Sequence, residues 1–391
     1  MLINQQHFAV NWVNGMKLTQ LHFLKTDLHV QDRVRDTASL ALTKHNFGIL
    51  PPEKGAPLSN EIQLLGKIGN SVEVRLLRCN AITAGGCRIA INPETLEHQV
   101  MSATFAVGGD EAAEAAEHPS YYAVLTVHPF ERVPMGPPDP EELPIRHPFT
   151  DARYTLEMVQ TTRIVAEELG GYYLIIGRVG YREGRYQVDE GFIPPCTTME
   201  SHPRLVTYYK DFGLSLNQLQ INSFSMVRKV HDKPNPSPIA QNIQRLCVKI
   251  LDFLTHIFFE FRNLNAQQPP VRTVGHLNGL ASLVYTFLYC LPAREKEELL
   301  NYFYEWNDIS PSRFEELLRG LIALEYQHHH IGATMQQVDT FVRVLEALWA
   351  RLNNLEYIGQ RKDNSIVVRE EPVASPGPTA RTATRGWSML D

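Results

Sequence analysis

The chain has 391 residues, more than the roughly 250–300 that one hydrophobic core usually accommodates, so two or more packing units are expected. Its 37 basic and 43 acidic residues give a formal net charge of -6, which leaves no basic surface of the kind that binds nucleic acid or an anionic membrane. The five cysteines include no C-x-x-C pair and are predicted to be buried free thiols in a reducing compartment.

The N-terminus predicts a soluble chain with an early helix. It lacks a basic region followed by an apolar run, so a secretory signal is not expected. The longest apolar runs, such as YYLIIG at 172–177, are far shorter than the ~20 residues of a membrane span. Residues 18–45 have the composition of a helix between two short β-like stretches. A cytoplasmic location is therefore predicted.

Short β-strands are predicted from about residue 60 to residue 190. In SVEVRLL the apolar residues Val72, Val74 and Leu76 alternate with Glu73 and Arg75, which is typical of a half-buried strand. Similar segments follow at NEIQLLG, GCRIAIN, HQVMSATFAV, YYAVLTVHPF and YYLIIGRVG. The pattern predicts an antiparallel β-sandwich or barrel-like domain that ends near residues 192–195.

Two connections in this region have distinct compositions. Six prolines fall within residues 134–149, which predicts an extended excursion that does not pair in a ladder. The triplet Arg182-Glu183-Gly184 predicts a hairpin turn.

After Pro203 the apolar period becomes helical. A seam with alternating steps of 4 and 3 residues runs along the first helix, and it predicts a surface for trimerisation. The seam is formed by Leu205, Tyr209, Phe212, Leu216, Leu219, Ser223, Met226 and Val230. The sequence leaves open that this seam faces the other helices of the same chain.

Five more helices complete a predicted bundle. The next helix carries two apolar stripes over about 239–261 and therefore needs cover on both sides. The others are expected at about 272–291, 293–304, 312–324 and 333–356, with breaks at Pro292 and Pro311. We predict an α+β multidomain protein: a β-sandwich with an N-terminal helix over 1–200, a helical bundle over 201–358, and a disordered tail over 359–391.

No motif predicts catalysis, a cofactor or a metal. The sequence lacks a Walker loop, G-x-G-x-x-G, G-x-S-x-G and H-E-x-x-H. His22 and His29 lie two helical turns apart, too far to share one ion. The triplet at His328, His329 and His330 is interpreted as solvated imidazoles at a helix exit. We therefore expect no catalytic residue, no cofactor and no metal site.

The stretch NWVNGMKLTQLHF at 11–23 carries a family resemblance. Trp12, Gly15, Met16 and Leu18, followed by His22-Phe23, resemble the N-terminal signature W-x-x-G-M-x-L-x-P-Q-H-F of the type VI secretion baseplate subunit TssK. Gln20 and Leu21 depart from it. The family's second mark, a strand that runs into I-P-P at the end of the β domain, is matched by Ile193, Pro194 and Pro195.

The resemblance covers about residues 5–356 and implies an architecture. The β domain would be a shoulder similar to that of siphophage receptor-binding proteins, and the helices would form a neck. Family members assemble as homotrimers that bind the TssF-TssG wedge at the cytoplasmic face of the inner membrane. They continue into a head domain that contacts a membrane-anchored complex, whereas only 32 residues follow Gly359 here, so that contact is in doubt.

Two further alternatives stay open from the sequence. Trp12, Met16 and Phe23 could form part of a wedge interface, or they could clamp the N-terminus onto the β core. The protein could also be a receptor-binding or fibre protein of a phage or another contractile particle. In either case we expect a structural protein rather than an enzyme.

Overall fold

The computed structural model describes residues 3–66, 71–106, 119–183 and 185–362. Within these ranges the fold is mixed α/β, with two antiparallel β-sheets in the N-terminal half and eight α-helices. Six of the eight helices follow residue 202. The predicted order of a helix, a β region and a helical bundle is therefore confirmed for these ranges.

The first sheet is organised around one long central strand. The elements of this part are α1 (Gln20–Ser39), β1 (Gly48–Ile49), β2 (Asn60–Gly66), β3 (Ser71–Ile82), β4 (Arg88–Ile91), α2 (Pro93–His98) and β5 (Ser102–Ala106). Strand β3 pairs with each of the other four strands. Val74 and Leu76 are buried as predicted, but Glu73 is buried too and forms an ion pair with Arg75. Because neighbouring strands flank β3 on both sides, an outward position can also lose contact with solvent.

The second sheet has the order β7-β6-β8-β9. Its strands are β6 (Ser120–Met135), β7 (Phe149–Gln160), β8 (Tyr173–Arg182) and β9 (Arg185–Val188). Strand β7 was not predicted, although Ala152, Tyr154 and Leu156 are buried and alternate with the exposed Arg153 and Glu157. The predicted hairpin turn joins β8 to β9; its third residue, Gly184, lies outside the described ranges.

The proline-rich excursion is shorter than predicted. Pro134 belongs to β6 and pairs with Thr150 of β7, so the loop spans 136–148. This end of β6 is paired with β7, whereas the ladder with β8 covers only residues 120–126 of β6. Proline is typical of strand segments that are paired on one side only, as this end of β6 is.

The helical half follows the predicted helices closely. It contains α3 (Pro203–His231), α4 (Pro238–Asn263), α5 (Pro270–Cys290), α6 (Ala293–Asn307), α7 (Pro311–Ile322) and α8 (Ile331–Asn353). Four of these helices begin with proline, whose fixed φ and missing N–H suit the first helical position. The hydroxyls of Ser237 and Ser310 accept hydrogen bonds from the first turns of α4 and α7. These local signals explain why the helix starts were predictable.

Buried side chains of both sheets and all six helices of the bundle form one continuous cluster. Its largest fully buried members are aromatic, among them Phe212, Phe303 and Trp349. The indole of Trp349 donates to the hydroxyl of Ser223 at 3.0 Å, which explains why a polar residue interrupts the apolar seam of α3. The fold type changes near residue 200, but the domain boundaries at 200 and 358 stay a prediction. The predicted disorder of 359–391 falls from residue 363 onward outside the described ranges.

Candidate interaction surface

A buried polar pair holds the N-terminal segment. The Asp32 carboxylate accepts hydrogen bonds from the backbone amides of Gln6 and His7 at 2.5 and 2.8 Å. Arg35 donates to Asp32 at 2.8 Å and to the carbonyl oxygen of Gly85 at 3.2 Å. Burial by itself would raise the pKa of Asp32, but the hydrogen bonds from His7, Arg35 and Gln6 lower it. Charge-assisted hydrogen bonds therefore fix the segment.

The motif residues at 12–23 are gathered at the surface. Gly15, with φ +78°, closes a turn in which the Met16 amide donates to the Val13 carbonyl. The Trp12 ring centroid lies 6.0 Å from that of His22 and 6.3 Å from that of Phe23. Trp12 remains 49% exposed and Phe23 57% exposed. The alternative of an apolar clamp onto the β core is therefore wrong for these two aromatic residues.

His22 has a structural role that its motif position did not predict. Its Nδ1 accepts a hydrogen bond from the Thr19 amide at 3.2 Å and lies 2.9 Å from the Thr19 hydroxyl. Thr19 is the N-cap of α1, so the imidazole pairs an amide that would otherwise be left unbonded at the helix start. The His22 ring is thus held beside Trp12.

Helix α1 differs from an ordinary surface helix in that it buries polar residues and exposes apolar ones. Its buried residues are polar: Asp32, Arg35 and Ser39. Large apolar residues of α1 and the preceding segment are exposed instead. We call this group the N-terminal apolar face and define it as Phe8, Trp12, Val13, Leu18, Leu21, Phe23 and Leu24. Single exposed apolar residues are common, whereas several of them in one segment, with Trp12 beside Phe23, are typical of an interaction site.

The I-P-P motif lies at the junction between β9 and α3. The amide of Ile49 in β1 donates to the Pro195 carbonyl at 2.7 Å, and the Thr197 amide donates to the Ile49 carbonyl at 2.9 Å. Gly48 has φ +112°, and a Cβ there would collide with the Pro195 carbonyl. Ile193, Pro194 and Pro195 are all buried. Proline suits this segment because here it only has to accept hydrogen bonds.

The histidine triplet belongs to the same junction. His328 is 4% exposed; its Nε2 lies 2.8 Å from the Phe47 carbonyl and its Nδ1 lies 3.0 Å from the Tyr326 hydroxyl. Burial lowers the pKa of His328 to about 4. The prediction of solvated imidazoles at a helix exit is wrong for this residue, since it precedes α8 and packs against the chain before β1.

The predicted trimer seam of α3 faces inward. Leu205, Phe212, Leu216, Leu219 and Met226 are buried by the chain itself. Tyr209 is partly exposed; its ring stacks on Phe261 and its hydroxyl donates to the Phe261 carbonyl. The seam prediction is thus corrected in favour of the alternative that the sequence left open. Helices α4 and α8 occupy the space that the sequence assigned to neighbouring copies.

A different face of α3 and α4 is exposed and apolar. Asn217 of α3 accepts from Arg262 of α4, and Asp211 of α3 lies 3.7 Å from Arg343 of α8. The outward side of α3, away from these contacts, carries exposed apolar residues. We define the neck apolar face as Leu214, Ile221 and Phe224 of α3 with Val248 and Phe259 of α4, all exposed. Ile221 is 57% and Phe259 73% exposed.

The described residues offer little for chemistry. They contain no group of three or more side chains that could hold a metal ion. Burial raises the pKa of Cys79 and of Cys247 to about 12 and that of Cys87 to about 11, so these thiols remain protonated. Cys196 is buried as well, whereas Cys290 is exposed, contrary to the prediction for all five. In the part of the chain that the structure describes, no helix is both long and apolar enough to cross a membrane.

The fold therefore defines a class of protein: two antiparallel sheets joined at a proline-rich junction to a six-helix bundle. No family model and no curated protein matches the sequence. A crystal structure of TssK is similar, with a TM-score of 0.50 and 16% identity over 87% of this chain and 72% of that one. The chain thus has the fold of TssK, and the resemblance in the N-terminal motif is confirmed at the level of the fold.

Two assemblies are also similar at lower TM-scores. One is a TssK-TssF-TssG baseplate subcomplex of the type VI secretion system, at 0.47 and 14% identity over 87% of this chain and all of that one. The other is a baseplate complex of the same system, at 0.46 and 15% identity over 81% of this chain and 99% of that one.

Proposed function

We propose that this chain is a structural adaptor of a type VI secretion baseplate. The observation that carries the proposal is the TssK fold over 87% of the chain, together with the Trp12-Gly15-Met16 motif at its surface. The β half acts as a shoulder similar to that of siphophage receptor-binding proteins, and the helical half acts as the neck. The protein binds other proteins and catalyses no reaction.

The N-terminal apolar face is the proposed site for the TssF-TssG wedge. It is held in place by the Asp32-Arg35 pair and therefore does not need to order itself on binding, which lowers the entropic cost of association. Its centre contains Trp12 and Phe23, and aromatic residues are the usual binding hot spots. The charged neighbours Lys17 and Lys25 are exposed and provide the polar rim that such interfaces have.

The neck apolar face is the proposed contact between three copies. Three equivalent helices that pack around one axis need an apolar stripe on their outward side. Leu214 and Ile221 are seven residues apart on α3, and Phe224 continues the 3-4 spacing. The trimer contact thus moves from the predicted seam to the opposite side of the same helix. The trimer is proposed to assemble at the cytoplasmic face of the inner membrane and to link the baseplate to a membrane-anchored complex.

Co-expression with tagged TssF and TssG, followed by affinity capture, tests the wedge proposal. The double variant Trp12→Ala/Phe23→Ala should lose capture, because truncation of a central aromatic residue commonly costs about 2–4 kcal/mol of binding. Tyr304→Ala is the control, since Tyr304 is a similarly exposed aromatic residue on α6. Undiminished capture of the double variant, with the control behaving the same, would refute the assignment of the N-terminal apolar face.

Light scattering coupled to size exclusion tests the trimer separately. Ile221→Glu and Phe259→Glu should shift the trimer to a monomer, because a buried unpaired carboxylate is costly. Gln241→Glu adds the same charge at an exposed position of α4 outside the neck apolar face and should not change the mass. A wild-type monomer at micromolar concentration would end the trimer proposal without affecting the wedge proposal.

A further inference from the structure

A cavity lies where the β half and the helical half of the chain meet. It has a volume of about 480 Å³ and is enclosed by β8, the loop after β9, and the first turns of α3 and α8. We call it the junction pocket and define it by Arg178, Arg182, Phe192, Arg204, Gly332 and Gln336. It is separate from the N-terminal apolar face and from the neck apolar face.

The junction pocket carries an excess of positive charge. Arg178 is neutralised by Asp189, whose Oδ2 accepts from the Arg178 Nε at 2.7 Å. Burial would raise the pKa of Asp189, but the hydrogen bonds and charge of Arg178 lower it. Arg182 is 3.6 Å from the other Asp189 oxygen and largely exposed. Arg204 donates to the Glu190 carbonyl at 3.2 Å, a neutral acceptor.

The other titratable groups at the pocket do not remove this excess. Asp339 lines the pocket but is paired with Arg343 at 2.7 Å. His330 also lines it and lies 3.5 Å from Glu167. Arg182 and Arg204 therefore contribute two positive charges. Among the described residues, the pocket lining has no further unpaired carboxylate to balance them.

Backbone donors at the start of α8 add to this field. His330 is the N-cap of α8 but its side chain makes no capping hydrogen bond, and the first turn holds no acidic residue. Gly332 and Ala333 of that turn line the pocket. His329, which also lines it, has a buried Nδ1 with no hydrogen-bond partner among the described residues. The positive end of a helix together with arginines favours carboxylate ligands.

The size and the lining of the pocket indicate the kind of ligand. A volume of about 480 Å³ lies in the range of roughly 300–1,000 Å³ typical of sites for ligands larger than a single small anion. Phe192, Ile193 and Tyr208 supply the apolar part of its lining. Such a surface suits the methylene groups of glutamate side chains, while the planar guanidinium groups suit their carboxylates.

We propose that the junction pocket binds an acidic peptide segment of a partner protein, and that Arg182 and Arg204 bind the carboxylates of that peptide. A peptide held there would contact both the β8–β9 hairpin and the starts of α3 and α8, and so would join the β half to the helical half. The proposal goes beyond the baseplate role and does not depend on it. It adds a third interaction surface to the chain.

Calorimetric titration of the full chain with acetyl-Glu-Glu-Leu-Glu-Glu-amide at low ionic strength tests the proposal. The peptide should bind, and its glutamine counterpart should not. Arg182→Gln and Arg204→Gln should each weaken binding about tenfold, as expected when one charged hydrogen-bond donor is lost. Arg185→Gln is the matched control, because Arg185 lies opposite Arg182 in the β8–β9 ladder and does not line the pocket. This variant should change the affinity for the peptide by no more than about twofold.

Three results would overturn the proposal. The first is no binding of the acidic peptide to a wild-type chain whose circular dichroism and melting are normal. The second is equal binding by wild type and the Arg182→Gln/Arg204→Gln double variant, with both folded. The third is binding of inorganic phosphate as tight as that of the peptide, which would make the pocket a site for small anions. None of these outcomes bears on capture of TssF and TssG or on the trimer.

Discussion

Helices α1 and α3 distribute their residues in opposite ways. In α1 the buried side chains are polar and the apolar ones are exposed, whereas in α3 the apolar seam is buried and most of the exposed side is polar. Helix α1 is fixed by Asp32 and Arg35; helix α3 is fixed by Phe212 and its apolar neighbours. The hydrogen bonds that attach α1 leave its apolar residues exposed, whereas apolar packing covers the seam of α3 and leaves the neck apolar face exposed on the opposite side of that helix.

The largest effect should come from removal of the α3 anchor. Phe212 is fully buried, so Phe212→Ala should lower the free energy of unfolding by about 4 kcal/mol through lost burial and the cavity left behind. Ile221→Ala, on the outward side of the same helix, should change it by no more than about 0.5 kcal/mol in the monomer. Urea denaturation measures both, and similar losses for the two variants would contradict the inward assignment of the seam.

Removal of the polar anchor of α1 should come next. Arg35→Met leaves the Asp32 carboxylate buried without its cation, and breaking such a pair costs about 3 kcal/mol. Hydrogen exchange should show loss of protection at the amides of Gln6 and His7, which donate to Asp32. Arg33→Met is the control, since Arg33 is exposed on the same helix. If the amides of Gln6 and His7 stayed protected in Arg35→Met, the N-terminal segment would have to be held by other contacts than the Asp32–Arg35 pair.

Acid should weaken the junction that follows α1 along the chain. Because the pKa of His328 is lowered to about 4 in the folded state, its stabilising contribution is complete above the unfolded pKa of about 6.5 and is lost as pH falls from there toward 4. The loss amounts to about 2–3 kcal/mol. His45 and His329, whose pKa values burial also lowers, should add to it.

Denaturation at pH 7 and pH 5 measures this dependence. His328→Gln keeps a donor for the Phe47 carbonyl but cannot titrate, so it should flatten the difference between the two pH values. His231→Gln, at the exposed end of α3, should leave the difference as in wild type. If the free energy of unfolding of His328→Gln depended on pH as in wild type, groups other than His328 would cause the loss of stability in acid.

The smallest effect on stability should come from the exposed aromatic residue of the motif. Trp12→Ala should change the free energy of unfolding by less than about 1 kcal/mol, because about half of the side chain is already in water. Thermal melting checks this, with Tyr304→Ala as the reference. A loss as large as that of Phe212→Ala would mean that Trp12 is an anchor of the fold and not part of a binding surface.

Much of the fold could be predicted because its signals are local. The helical period of apolar residues, with breaks at Pro292 and Pro311, predicted the helices, and period-two alternation predicted β3. Strand β7 follows the same alternation at Ala152, Tyr154 and Leu156, so it could have been found beside the prolines. The position of Pro134 within β6 could not be predicted. Proline is accommodated there because the ladder with β8 ends earlier in β6, and the sequence does not show where that ladder ends. The surface was predictable only in part, since Trp12 and Phe23 were identified but not whether they were covered.

The sequence by itself determined many of the elements, among them strand β3 and the six helices of the bundle, and it showed that α3 and α4 carry apolar stripes. Spacing along the chain is sufficient for this, because each element's period reflects its own backbone geometry. Only the tertiary structure decided which side of each helix is covered. Phe212 and Ile221 are both apolar residues of one helix, and Asp32 and Leu24 both belong to α1. Their burial depends on which other segments of the chain pack against each side of the helix.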